Sequence, residues 1–242
     1  MIACLLKALP QKNKQASDNI YTMKLYSKAF IFDLNGTMID DMSYHIQAWH
    51  QILNYLGANL SYEEVKEQCY GKNDELLERI FPGRFSPKEM QNISIEKERR
   101  YQAEYKPRMK LISGLGRLLE DTHSNNIKMA IGSAAIRFNI DFVLNGLNIR
   151  DYFSSIVSAD DVTKSKPDPE TYLKCADDLK VLPQDCIVFE DSPKGVEAAA
   201  NANMKAVVIT TMSKKKEFSQ YDNILAFINN YNKVGVESRI YL

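Results

Sequence analysis

The sequence predicts an α/β protein: a doubly wound parallel sheet with an α-helical domain inserted after its first strand. Three observations carry this. Short runs rich in β-branched and aromatic residues are apolar at successive positions instead of alternating, as strands covered on both faces are. Segments with helical spacing separate these runs, and strand–helix alternation is the pattern of a parallel sheet. Over residues 42–109 the alternation stops, and only helical patterns remain.

The first strand is KAFIFD (28–33), and the helical insert follows it directly. Its segments are YHIQAWHQILNYL, SYEEVKEQCY, DELLERIF and SPKEMQNISIEKERRYQAEY. Ser61 and Ser86 suit N-caps, the latter followed by Pro87 at the first helical position. The strands IKMAIG (127–132), SSIVS (154–158), CIVFE (186–190) and KAVVI (205–209) come next. Helical patterns such as FNIDFVLNGLN and SPKGVEAAANAN lie between them. The expected division is a core of 23–41 with 110–242, and a helical cap of 42–109. A cap placed there sits over the carboxyl ends of the strands, where open α/β sheets bind ligands. Residues 1–22 read as a disordered extension, weakly apolar and then polar, with Met23 as a candidate start.

Thirty-one Lys and Arg balance thirty-one Asp and Glu, so no net field draws nucleic acid or an anionic membrane. No run approaches the roughly 18 apolar residues of a membrane-spanning helix. Four scattered cysteines form no C-x-x-C pair, which fits idle thiols in a reducing compartment. A cytoplasmic monomer acting on a small molecule is expected.

Polar residues stand at the ends of four strands. Asp33 ends the first, Ser133 follows the second, Lys166 lies in the loop after the third, and Glu190-Asp191 end the fourth. In a parallel sheet these ends share one rim, so the residues converge. Asp33, Glu190 and Asp191 gather negative charge that a hard, oxygen-seeking Mg²⁺ would neutralise. Lys166 and the Ser133 hydroxyl then suit phosphate oxygens held against a carboxylate nucleophile.

FDLNGT, IGSA, SKPDPE and VFEDSPKGVEAA resemble, in order and spacing, the four motifs of the haloacid dehalogenase superfamily. The likeness runs from Lys24 to about Ile209, and the insert resembles the cap of β-phosphoglucomutase-like phosphatases. It implies a Rossmann-like core and an aspartyl-phosphate at Asp33. It implies Mg²⁺ held by Asp33, the backbone carbonyl of Asn35 and Asp191, with Glu190 in support. Ser133 and Lys166, with Gly36 and Thr37, match the phosphate-binding positions. DDMSYHIQAW resembles the segment where β-phosphoglucomutases place a histidine and a tryptophan, here His45 and Trp49. KERRY resembles their cap-lysine segment and nominates Lys97. The loop CYGKNDELL departs from the mutases: Lys72 stands as its basic candidate for their phosphate-binding arginine, without the bidentate fork.

Asn35 is the second departure. The resemblance puts there an aspartate that protonates the leaving oxygen and later deprotonates the attacking water or hydroxyl. An amide hydrogen-bonds but exchanges no proton near neutrality, and general acid–base catalysis is worth roughly 10² to 10⁴ in rate. The sequence leaves three readings open: an engineered Asp-to-Asn trap of an active phosphatase, a natural enzyme whose proton comes from a group such as His45, or a phospho-ligand binding protein with little turnover.

Overall fold

The computed structural model describes residues 23–25 and 27–236, and the extension expected over 1–22 lies outside them. The strands are β1 (Met23–Leu25), β2 (Ala29–Phe32), β3 (Lys128–Gly132), β4 (Ser155–Val157), β5 (Cys186–Glu190), β6 (Lys205–Ile209), β7 (Ile224–Ile228) and β8 (Val234–Val236). Six of them form one parallel sheet in the order β4-β3-β2-β5-β6-β7. The chain starts in the middle, works outward through β3 and β4, then returns to β5 on the other side of β2. That return is the switch point at which such sheets form a crevice.

β2 shows why the sheet is covered on both faces. Phe30 and Phe32 enter one buried cluster with Phe189, Ile131 and Leu118. Ala29 and Ile31 enter the opposite one with Val188, Tyr172 and Val208. The rings of Phe32 and Phe189 stack at 4.6 Å. Each fully buried apolar side chain of this size contributes about 1.5–3 kcal/mol of transfer free energy.

The helices are α1 (Met42–Tyr55), α2 (Tyr62–Gln68), α3 (Asn73–Ile80), α4 (Pro87–Tyr105), α5 (Leu115–Ser124), α6 (Arg137–Gly146), α7 (Glu170–Leu179) and α8 (Pro193–Asn201). The first four form the cap, with a small core of their own around Ile46, Trp49, Leu53, Val65 and Leu77. Capping boxes Ser61–Glu64 and Ser86–Glu89 start α2 and α4, as the sequence suggests.

Two parts differ from the sequence reading. β7 extends the sheet by one half-buried edge strand, beyond the last predicted strand. β1 and β8 form a separate two-stranded parallel sheet. Strands of three residues carry too little pattern to be recognised.

Candidate active site

Asp33 follows β2, Ser133 follows β3, and Glu190 closes β5, so their shared rim is set by strand register: Phe32 pairs with both Ile131 and Phe189. Lys166 arrives from the loop after β4. Its Nζ donates to Asp33 Oδ1 at 2.8 Å and to Glu190 Oε1 at 2.9 Å. Glu190 Oε1 also accepts from the Tyr172 hydroxyl at 3.0 Å. Glu190 Oε2 accepts from the backbone amides of Asp191 and Ser192 at 2.8 and 2.7 Å, the latter at the N-cap of α8. Position 195 must be glycine here, because a Cβ would lie 1.7 Å from Glu190 Oε1. Gly36 is similarly constrained: its φ is +76°, and a Cβ would meet Asp191 Oδ2 at 2.1 Å.

Burial sets the electrostatics. It pushes Asp33 up to about 7, with Glu190 adding to the effect and Lys166 opposing it. Burial raises Asp191 well above the usual carboxylate range, helped by Glu190 and Asp33. Burial alone would raise Glu190 too, but Lys166 and the donated hydrogen bonds outweigh it and hold Glu190 below its ordinary value. Oxygen atoms of Asp33, Glu190 and Asp191 lie within 4.8 Å of one another. One lysine only partly offsets three buried carboxylates, and this oxygen donor set suits a small hard dication.

A second polar network joins the rim to the cap. Asn35 Nδ2 donates to Asp41 Oδ2 at 2.6 Å. Asp41 also accepts from Gly36 N at 3.2 Å and from the Tyr101 hydroxyl at 2.5 Å. It is the N-cap residue of α1, yet its side chain caps nothing and faces Asn35 instead. His45 Nε2 lies 3.0 Å from Asn35 Nδ2 and 3.2 Å from Asp41 Oδ2. On its other side, His45 Nδ1 lies 2.7 Å from Lys97 Nζ. An ammonium only donates, so Nδ1 accepts and the proton of the neutral ring falls on Nε2, beside Asp41. The ring stacks on Tyr101 at 3.7 Å. Its remaining lone pair is therefore covered by Lys97.

A cavity of about 460 Å³ joins both networks. The haloacid dehalogenase-like hydrolase family matches residues 30–209, which spans every strand-end residue described above. This chain belongs to that family. The haloacid dehalogenase-like hydrolase is 36% identical over 189 residues to the beta-phosphoglucomutase of Bacillus subtilis (strain 168), covering 74% of this chain and 82% of that one. It is 28% identical over 177 residues to fructose-1-phosphate phosphatase YqaB of Escherichia coli (strain K12), covering 73% of this chain and 93% of that one. Among solved structures, beta-phosphoglucomutase from Clostridium difficile superposes with a TM-score of 0.74 at 30% identity, covering 86% of this chain and 92% of the other. The chain is an enzyme of the phosphatase and phosphomutase kind.

In this hydrolase Asp33, Asn35, His45, Trp49, Lys72, Lys97, Ser133, Lys166, Glu190 and Asp191 line one cavity, so widely separated predictions converge. Gly36 and Thr37 do not line it. The Gly36 amide is taken by Asp41, and Thr37 is fully buried with its hydroxyl toward Asp191 at 3.4 Å. In this conformation both contact acidic residues. Trp49 is mostly cap core, and Lys72 Nζ is held by the Val162 carbonyl at 3.0 Å. Sequence reasoning missed Asp41, Asn73, Glu98 and Tyr172. Asp41 and Glu98 fall inside quoted motifs, but only a folded chain shows them beside Asn35 and Lys97. No helix among the described residues is long and apolar enough to cross a membrane.

Proposed function

We propose that this chain transfers the phosphoryl group of a small phosphate ester, a sugar phosphate foremost, to the Asp33 carboxylate, with Mg²⁺ as cofactor, and that Asn35 slows the proton-dependent steps. The observation that carries this is Lys166, whose ammonium bridges Asp33 and Glu190 in the cavity that also holds Ser133 and Asp191. Lys166 and the Ser133 hydroxyl hold the phosphate oxygens while an Asp33 oxygen attacks phosphorus. The ester oxygen leaves with the bonding electrons and needs a proton. Water then attacks the aspartyl phosphate, loses a proton and returns Asp33 as a carboxylate.

Asp33, Asp191 and the backbone carbonyl of Asn35 would hold Mg²⁺, with Glu190 in support. When bound, the ion neutralises charge between the carboxylates and the phosphate. The Asn35 amide orients the ester oxygen but cannot move the proton. His45 points an Nε2–H toward Asn35 and Asp41, and could pass that proton to the ester oxygen only as Lys97 delivers one to Nδ1. It serves as a base only after Lys97 withdraws from Nδ1. Phosphatase turnover, with water as acceptor, is the favoured outcome. Among the described residues no arginine lines the cavity to grip a second phosphate.

The test is a phosphate-ester panel run with and without Mg²⁺ on this chain and Asn35→Asp side by side. Mg²⁺-dependent phosphate release, faster in the variant and abolished by Asp33→Asn, is expected. Turnover unaffected by Asp33→Asn would sink the reading. A phospho-ligand binding role is the second reading, favoured by the amide at position 35. It predicts saturable binding with no phosphate release under saturating Mg²⁺.

A further inference from the structure

Glu98 lies in the cap wall of the cavity, 2% exposed, on α4. Its Oε1 accepts from Lys97 Nζ at 2.9 Å and from Asn73 Nδ2 at 3.2 Å. Its Oε2 is buried and has no hydrogen-bond partner. His45 Nδ1 is 3.9 Å from this oxygen and already faces Lys97. A buried carboxylate oxygen without a donor is rare and costly in a folded protein. The residue lines the cavity while this oxygen is itself sealed from solvent, so a small turn of the carboxylate would present it to a donor from a ligand.

We propose that Glu98, oriented by Asn73 and Lys97, is a hydroxyl-reading subsite that selects substrates carrying one phosphate on a polyhydroxylated chain, and rejects bisphosphates. This rests on the phosphoryl-transfer reading above: the phosphate sits at Asp33, Ser133 and Lys166, and a substrate hydroxyl donates to Glu98 Oε2. A second phosphate near Glu98 would set two anions together in a poorly solvated space. The remaining cavity cations are engaged in this conformation. Lys72 is held by the Val162 carbonyl, Lys194 Nζ lies 3.5 Å from the Tyr70 ring centroid, and Lys66 faces Glu63 at 3.7 Å. Polar groups that match a substrate hydroxyl discriminate strongly, because an analogue lacking it leaves them unpaired.

The experiment measures binding of fructose 1-phosphate, fructose 1,6-bisphosphate and phenyl phosphate to the full chain by calorimetry in Mg²⁺. Phenyl phosphate has the phosphate but no hydroxyl. The full chain should bind fructose 1-phosphate more tightly than either other compound. Glu98→Gln should weaken fructose 1-phosphate about tenfold, one charge-assisted hydrogen bond exchanged for a neutral one. Phenyl phosphate should stay within about twofold, which also reports that the variant is folded. Glu98→Asp keeps the charge beside Lys97 but retracts the carboxylate by one methylene, and should show the same selective loss. Equal weakening of both monophosphates, or bisphosphate bound as tightly as monophosphate, overturns the subsite. If no phosphate compound binds, including phenyl phosphate, the phosphoryl-transfer reading falls and takes the subsite with it.

Discussion

Asn35→Asp is the most informative substitution, and its outcome depends on Asp41. The new carboxylate would stand where the Asn35 amide nitrogen lies, 2.6 Å from Asp41 Oδ2. Two unit charges at that separation repel by about 6 kcal/mol at an effective dielectric of about 20. The pair therefore keeps one shared proton at neutral pH. A shared proton makes position 35 a capable acid for the departing alkoxide and a weak base for the attacking water. On sugar phosphates Asn35→Asp should gain roughly 10² or more in rate, with a pH optimum on the alkaline side of neutrality. Adding Asp41→Asn removes the repulsion and frees the new carboxylate to ionise, so the optimum should move down by about one pH unit or more. The assay is the pH dependence of kcat and kcat/KM for one hexose phosphate on the four combinations of these two positions. If Asp41→Asn leaves the profile of Asn35→Asp unmoved, the coupling is absent. If Asn35→Asp does not accelerate turnover at any pH, the amide is no handicap.

Asp191→Asn should weaken Mg²⁺ binding measured by calorimetry, while Asn35→Ala leaves it nearly unchanged, because only the backbone of residue 35 would face the ion. The reverse pattern would refute the ligand assignment. Asp33 is held near 7 by burial against an ordinary 3.8, so between those values the metal-free fold binds a proton that the unfolded chain has lost. That contribution lowers stability as pH rises through the window, and Mg²⁺ must displace the same proton. Asp191, raised by the same burial, would have to give up a proton as well, so Mg²⁺ affinity should rise about tenfold or more per pH unit below about pH 7; a flat profile would refute this. A good leaving group such as nitrophenolate needs no acid, whereas hydrolysis of the aspartyl phosphate still needs a base. Rapid-quench kinetics on a nitrophenyl ester should show a burst of about one equivalent per site and then slow turnover, and a linear time course from the first turnover would contradict it.

The parallel sheet was legible because each central strand is a short unbroken apolar run. The rim residues were legible because strand ends in such a sheet can only converge. Asp33, Ser133, Lys166, Glu190 and Asp191 were found this way, and all five line the cavity. Gly36 and Thr37 stand behind that lining, on Asp41 and Asp191, and spacing alone gives no direction to an amide or a hydroxyl. Asp41 stayed hidden for a different reason. As an acidic residue before a helix it has a sufficient local explanation as a cap, and only the fold turns it toward Asn35 and Tyr101. Glu98 stands among several charges in EKERR with nothing to single it out, and its 2% exposure is a tertiary fact.

The loop that delivers Lys166 is also where the cap is fastened. Ser165 Oγ donates to Glu75 Oε1 at 2.8 Å, and Lys72 Nζ grips the Val162 carbonyl four residues before Lys166. Lifting α3 away from the sheet breaks both links and tugs on the peptide adjoining the lysine that bridges Asp33 and Glu190. Any movement of the cap is thereby wired to the charge balance of the site, because the loop it pulls on carries the lysine that holds Asp33 and Glu190 together. Substitution of Glu75, which lies outside the cavity lining, would be read out as altered product escape before any change in bond breaking.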